Sequence, residues 1–175
     1  MKRLMVVDDE AVIAMQLEDH LQSMKYDVVG TASSAEESVS MARKLCPDLI
    51  FMDIVMEGKL DGIDAARMIK EEMDIPIIFL TAYADDKVVN RAMQAEPFGY
   101  IVKPFRESEI KANIEIALYR KGLEQKRKQA EERIRRLFLA IDHNPHIIMI
   151  IDIEGNIEFI NNKFSQTIDY TSSEI

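Results

Sequence analysis

In this 175-residue chain, four apolar runs break off at side chains capable of chemistry. Leu4 to Val7 ends in Asp8-Asp9, Leu49 to Met52 in Asp53, Ile77 to Leu80 in Thr81, and Gly99 to Val102 in Lys103-Pro104. Three carboxylates gathered in one place repel one another, and a hard divalent cation with oxygen ligands relieves the repulsion. Mg²⁺ fits that role, because it accepts one or two carboxylates and keeps waters for a phosphoryl oxygen. A carboxylate beside such a cation is also a nucleophile toward phosphorus and would form an aspartyl phosphate. That reaction asks for positive charge and donors around the phosphoryl oxygens, which an ammonium at Lys103 and a hydroxyl at Thr81 can supply. Asp53 is the preferred nucleophile, since its strand is flanked on both sides, and the adjacent Asp8 and Asp9 suit metal holding.

The chemistry needs elements that bring these positions together. Uncharged runs of four residues read as strands buried on both faces, and helix-length amphipathic segments separate them. Ile13, Leu17, Leu21 and Met24 mark the first helix, and Tyr26 to Thr31 a short strand weakened by Gly30. Ser34 and Glu37 fit a capping box that opens a helix carrying Val39, Ala42 and Leu45, which Pro47 stops. Asp61-Gly62 opens a third helix with Ile63, Ala66, Ile69 and Met73 inward. Asp85-Asp86 marks the start of a fourth with Val88, Ala92 and Ala95, and Ile110, Ile114 and Leu118 mark a fifth. Five strands alternating with five helices predict a doubly wound α/β domain with a five-stranded parallel sheet over residues 1–118. In the flavodoxin-like order 2-1-3-4-5, the first and third strands are neighbours and the winding reverses between them, which puts Asp8, Asp9 and Asp53 around one crevice.

Residues 119–142 keep a helical composition, with Leu123, Ala130 and Leu137 seven apart. This predicts a helical linker that pairs with a partner helix as a coiled coil, the alternative being a solvated helix with charged sides. From residue 143 the texture changes. Ile147 to Asp152 and Ile157 to Ile160 read as a hairpin around a turn containing Gly155, and Asn161 to Ile168 as a short helix. A two-stranded hairpin alone is marginal in water, so residues 143–175 are expected to be the beginning of a second domain.

A net charge of −9 and a pI near 4.9 argue against nucleic acid as a main partner. Only residues 119–136 are basic, with eight Lys and Arg against three Glu. Cys46 is the single cysteine and reads as a small apolar residue near a helix end; without an intrachain disulfide, a reducing compartment is the expectation. No apolar stretch approaches the roughly 18 residues of a membrane span, so no membrane contact is expected in this segment and a cytoplasmic location is. His20 is expected to face solvent, and no recognised spacing places His143 or His146 as a metal or haem ligand.

Asp8-Asp9, Asp53, Thr81-Ala82 and Lys103-Pro104, at these intervals, resemble the CheY-like receiver domain of two-component response regulators. The resemblance implies that Asp53 accepts a phosphoryl group from a histidine kinase or phosphotransfer protein. It further implies that Asp8, Asp9, Asp53 and the main-chain carbonyl of Val55 bind Mg²⁺, and that Thr81 and Lys103 contact the phosphoryl group. A receiver catalyses its own phosphorylation and dephosphorylation. Its switch would involve Thr81 and Tyr100 changing rotamer together, with Pro104 following a cis peptide bond. One departure is the segment after Asp53: Glu57 stands where many receivers have proline, and Gly58-Lys59-Leu60 lengthens the loop by a residue. That departure resembles a receiver subgroup often joined to sensor domains, and it bears on partner choice.

Ala140 to Pro145, the following hairpin, Asn161-Asn162-Lys163-Phe164 and Tyr170 to Glu174 resemble the start of a PAS sensor domain. Such company suggests a parent histidine kinase, although no phosphoacceptor histidine box or ATP-binding glycine motif occurs here. The implied partners are thus a kinase or phosphotransfer protein and a second copy through the C-terminal helix. Two alternatives remain. A haloacid-dehalogenase-like Mg²⁺ phosphatase would need a general acid two residues after its nucleophile, where Val55 stands. A receiver used only for binding would have no need of the intact acids.

Overall fold

The computed structural model describes residues 1–82 and 86–168. Asp85 and the Tyr170 to Glu174 motif lie outside the described residues, as do the side chains of Asp86 and Val88. The chain divides into two compact units, Met1–Gly122 and Leu123–Ile175.

In the first unit the strands are β1 (Arg3–Val7), β2 (Asp27–Ala32), β3 (Leu49–Asp53), β4 (Ile77–Thr81) and β5 (Gly99–Val102). They alternate with α1 (Ala11–Ser23), α2 (Ala35–Leu45), α3 (Gly62–Met73), α4 (Asp86–Gln94) and α5 (Glu107–Asp142), whose residues from Leu123 onward belong to the second unit. All strand pairs are parallel, in the order β2-β1-β3-β4-β5. Every residue of β3 and β4 is buried, as uninterrupted apolar runs require when both faces are covered. Side chains alternate between two cores. Met5, Val7, Ile50, Met52 and Phe79 pack with residues of α2, α3 and α4. Leu4, Val6, Phe51, Ile78 and Ile101 pack with residues of α1 and α5. Full burial of each large apolar side chain contributes about 1.5–3 kcal/mol.

The predicted helix faces are buried at Leu17, Leu21, Val39, Ala42, Ile63, Ala66, Ile69, Ile110 and Ile114. Details differ. Leu4 pairs with Val28 but Met5 with Gly30, so Val29 bulges; a Cβ on Gly30 would lie 2.5 Å from the tip of Met41. Ser34 Oγ accepts from Glu37 N (3.3 Å), as a cap should, but the Glu37 carboxylate accepts from Ser33 N (2.8 Å), one residue before the expected position. A complete capping box opens α3 instead, from Asp61 and Asp64. Cys46 ends α2 in the left-handed region (φ 44°) and is exposed. His20 is half-buried rather than exposed, its ring edge-on to Phe105, because α1 packs beside the segment after β5. Lys121 is buried, its Nζ 2.7 Å from Asp74 Oδ1.

The second unit holds the hairpin β6 (Met149–Ile151) and β7 (Ile157–Ile160), followed by α6 (Asn162–Ile168). The Asp152 carboxylate organises the turn, accepting from Glu154 N (2.8 Å) and from Asn156 N and Nδ2 (both 2.9 Å). Gly155 supplies the positive φ (93°) that the turn requires. Asn161 is fully buried, donating to Ile141 O (3.1 Å) and His146 O (2.9 Å) and accepting from Ile148 N (3.0 Å). Among the described residues no helix is long and apolar enough to cross a membrane.

Candidate functional site

The C-terminal ends of β1, β3, β4 and β5 share one edge of the sheet, because the strands are parallel. Adjacency of β1 and β3 sets the end of one beside the end of the other, and the Asp8, Asp9 and Asp53 side chains offer oxygens all within 4.8 Å of one another. Asp8 is held from both sides: its amide donates to Ala32 O (3.1 Å) and its Oδ1 accepts from Glu10 N (3.1 Å). Asp9 Oδ2 accepts from Glu57 N (3.1 Å), tying the loop after β3 to the acids. Lys103, just past β5, reaches across β4's end to place Nζ 2.7 Å from Asp8 Oδ2 and 3.2 Å from Asp53 Oδ1. Glu10 Oε1 is farther from that ammonium, at 3.8 Å.

Asp8, Asp53 and Lys103 bury their charges, whereas Asp9 and Glu10 reach solvent. Asp53 and Lys103 side chains are only 7% and 8% exposed, so Coulomb interactions between them are weakly screened. Burial pushes the Asp53 carboxyl up to about 6, with the Asp8 and Asp9 charges adding to it and Lys103 opposing. Burial alone would lower the Lys103 proton affinity, but its bonds to Asp8 and Asp53 overturn that and raise it. Three carboxylates against one ammonium leave two negative charges in excess, the charge a divalent cation neutralises. An oxygen-only donor set suits a hard cation such as Mg²⁺.

Thr81 ends β4 and is buried, and its carbonyl accepts from Lys103 N (2.7 Å). Val55 lies in the loop after β3 with its side chain exposed; Ile54 N donates to Leu80 O (3.1 Å) and Gly62 N to Ile54 O (3.1 Å), fixing the loop on either side. Tyr100 sits on β5 at the domain surface, its ring 5.9 Å from that of Phe79. The Lys103–Pro104 peptide bond is cis.

Two contributors escaped the sequence reading. A Cβ on Gly62 would fall 1.8 Å from the carbonyl oxygen of Asp53, so only glycine lets α3 start against the end of β3. The Asp-Gly pair signalled a helix start but not this close approach. Arg91 on α4 pairs with the capping carboxylate of Asp61 (2.9 Å), a contact between helices that no local pattern reveals.

Fold and site together define a flavodoxin-like α/β domain with an acidic, cation-suited crevice at the switch point of its sheet. Comparison with known proteins narrows this. The model of the response regulator receiver domain matches residues 4–115. The chain is 40% identical over 119 residues to the transcriptional regulatory protein PdtaR of Mycobacterium tuberculosis, covering 68% of this chain and 58% of that protein. Its fold matches the signal receiver domain of a modulated diguanylate cyclase from Desulfovibrio desulfuricans G20, with TM-score 0.69, 35% identity, and coverage of 71% and 98% of the two chains. A second match is the N-terminal domain of a response regulator/sensory box/GGDEF three-domain protein from Carboxydothermus hydrogenoformans, with TM-score 0.65, 28% identity, and coverage of 70% and 98%. The chain therefore belongs to the response regulator receiver family, and its receiver domain is a module of phosphorelay signal transduction. It spans 58% and 56% of the lengths of the curated relatives PdtaR and LiaR.

Proposed function

We propose that Asp53 is the phosphoacceptor of this receiver. The reading is carried by one observation: Lys103 bridges Asp8 and Asp53 inside a cluster whose three carboxylates lie within 4.8 Å. An Asp53 oxygen forms the new bond to phosphorus while the N–P bond of a histidine kinase or phosphotransfer protein breaks and its electron pair returns to the imidazole nitrogen. Mg²⁺, held by Asp8, Asp9, Asp53 and the main-chain carbonyl of Val55, would neutralise charge on the transferring phosphoryl oxygens. Lys103 exchanges its Asp53 partner for a phosphoryl oxygen while keeping Asp8, and Thr81 donates its hydroxyl to another. Thr81 and Tyr100 then turn together and, with Pro104 at the start of the following segment, alter the surface around β5. Formation of the acyl phosphate exchanges the single negative charge of the Asp53 carboxylate for a phosphoryl dianion, so the local balance with Lys103 changes at the same step.

Residues 1–118 form the receiver in this reading, 119–142 a helical linker, and 143–175 the start of a PAS-like sensor domain. Support for the last comes from the hairpin, the buried Asn161 and a similar receiver that sits in a protein with a sensory box. The linker would pair with a second copy, and the protein would work in the cytoplasm. Incubation with acetyl phosphate and Mg²⁺, read on a phosphate-affinity gel, should label the wild type and not Asp53→Asn. Equal labelling of both would overturn the assignment.

A further inference from the structure

Within the second unit, α5 from Leu123 to Ile141 presents two adjoining rows at heptad spacing. One row holds Leu123, Ala130 and Leu137; the other holds Arg127, Ile134 and Ile141. Leu123, Ile134 and Leu137 are 48%, 67% and 58% exposed, a stripe too apolar for a merely solvated helix. The hairpin leaves Leu123, Ile134 and Leu137 open: from the helix it takes Phe138, packed on Phe159 with ring centroids 5.3 Å apart, and the half-buried Ile141, whose carbonyl accepts from Asn161 Nδ2 (3.1 Å).

Charge is sorted on either side of the stripe. Glu124 and Glu131 flank one edge, Lys126 and Arg133 the other, and all four side chains reach solvent. In a parallel, in-register pair, residues five apart on facing edges meet, so Lys126 of one copy approaches Glu131 of the other, with the symmetric contact repeated. An antiparallel pair would instead oppose the acidic edge to an acidic edge and the basic edge to a basic one. Ile134 and Ile141 in one row with Leu123 and Leu137 in the other are the combination that favours two strands over three. Arg127, whose Nη1 also lies 2.9 Å from Glu131 Oε1 of its own helix, faces its own counterpart across the seam, which weakens the pair while fixing its register.

We propose that this stripe is the seam of a parallel, in-register, two-stranded coiled coil with a second copy of the chain. The inference deepens the reading of the linker as a self-pairing helix and rests on it; it does not depend on Asp53 being the phosphoacceptor.

The test uses the full chain with Cys46→Ser as background and single cysteines introduced by Leu123→Cys, Leu137→Cys and Glu132→Cys. Mild oxidation is followed on a non-reducing gel, with and without acetyl phosphate and Mg²⁺. In either state, Leu123→Cys and Leu137→Cys should each form a covalent dimer on its own, while Glu132→Cys, on the outer face, should not. Cross-linking seen only when the Leu123→Cys and Leu137→Cys proteins are mixed would mean an antiparallel pair and overturn the proposal. No cross-linking in either state, or equal cross-linking through Glu132→Cys, would overturn it as well. As a second measure without new thiols, Arg127→Leu should tighten the dimer by about tenfold or more in sedimentation equilibrium. An unchanged monomer fraction would contradict the seam. Asp53 labelling is read on the same samples, so failure of the seam and failure of the phosphoacceptor assignment are separable.

Discussion

The sheet edge of the receiver and the hairpin of the second unit bury opposite kinds of side chain. In the receiver, β3 and β4 are wholly buried and the core ends in charges, with Asp8, Asp53 and Lys103 taken out of solvent together. In the hairpin unit, Ile150, Ile151 and Ile153 are exposed, whereas the polar Asn161 is fully buried. A core of two packed faces supplies enough apolar burial to tolerate an ion cluster that is unfavourable in itself. A two-stranded hairpin has no such reserve and relies on saturated hydrogen bonds for its order. The difference separates a region that tolerates buried charge from one that leaves apolar side chains in solvent.

The largest effect should come from Gly62→Ala, which forces a methyl into the Asp53 carbonyl. We expect a loss of about 3 kcal/mol or more in urea unfolding, because backbone rather than a flexible side chain must move. A loss under 1 kcal/mol would show that the Asp53 carbonyl oxygen does not lie 1.8 Å from the position of a Cβ on Gly62.

Next is the pH dependence of the metal-free receiver. Asp53 is raised from 3.8 to about 6, so between these values the folded state binds more protons than the unfolded state. Stability contributed by this group therefore falls as pH rises from roughly 4 to 6 and is flat above, by an amount on the order of 2–3 kcal/mol. In EDTA, Asp53→Asn should flatten that slope and be the more stable protein at pH 7. Adding Mg²⁺ to the wild type at a hundred times its dissociation constant should restore about 2.7 kcal/mol. A slope unchanged by Asp53→Asn would locate the titration elsewhere.

The hairpin responds to a different change. Asn161→Ala removes the acceptor of Ile148 N and the donor to Ile141 O and His146 O, and should cost about 2 kcal/mol. Amide exchange should speed at Ile148 while β3 amides keep their protection. Smallest is Ser34→Ala, which removes the α2 cap and should cost about 1 kcal/mol. Melting temperature reads it, and the hairpin amides should not notice.

What was legible in the sequence follows from the range of the interactions concerned. Uncharged runs ending at Asp8, Asp53, Thr81 and Lys103 announced strands, and alternation with helices then implied one edge for all four ends. The sheet order was the commonest one for five such strands, and the register, with its shift between Leu4 and Met5, was not legible within any segment. The capping of α3 by Asp61 and Asp64 was also local, but Asp-Gly read only as a helix start. Other features depend on segments meeting in space: Gly62 against the Asp53 carbonyl, Glu57 N on Asp9, Lys121 on Asp74, and Asn161 beneath the hairpin. A lysine on a charged helix and an asparagine after a strand carry no signal that they are buried. Val55 and Tyr100 entered through resemblance alone, since a backbone carbonyl and a surface aromatic have no signature of their own.

The claim that these acids serve phosphoryl chemistry is tested most directly by trapping the product. After treatment with acetyl phosphate and Mg²⁺, borohydride reduces an acyl phosphate to the alcohol, and peptide mass spectrometry locates it. Homoserine is expected at position 53 alone, and none when EDTA replaces Mg²⁺. Homoserine at position 8 or 9, or equal trapping with and without the cation, would contradict it.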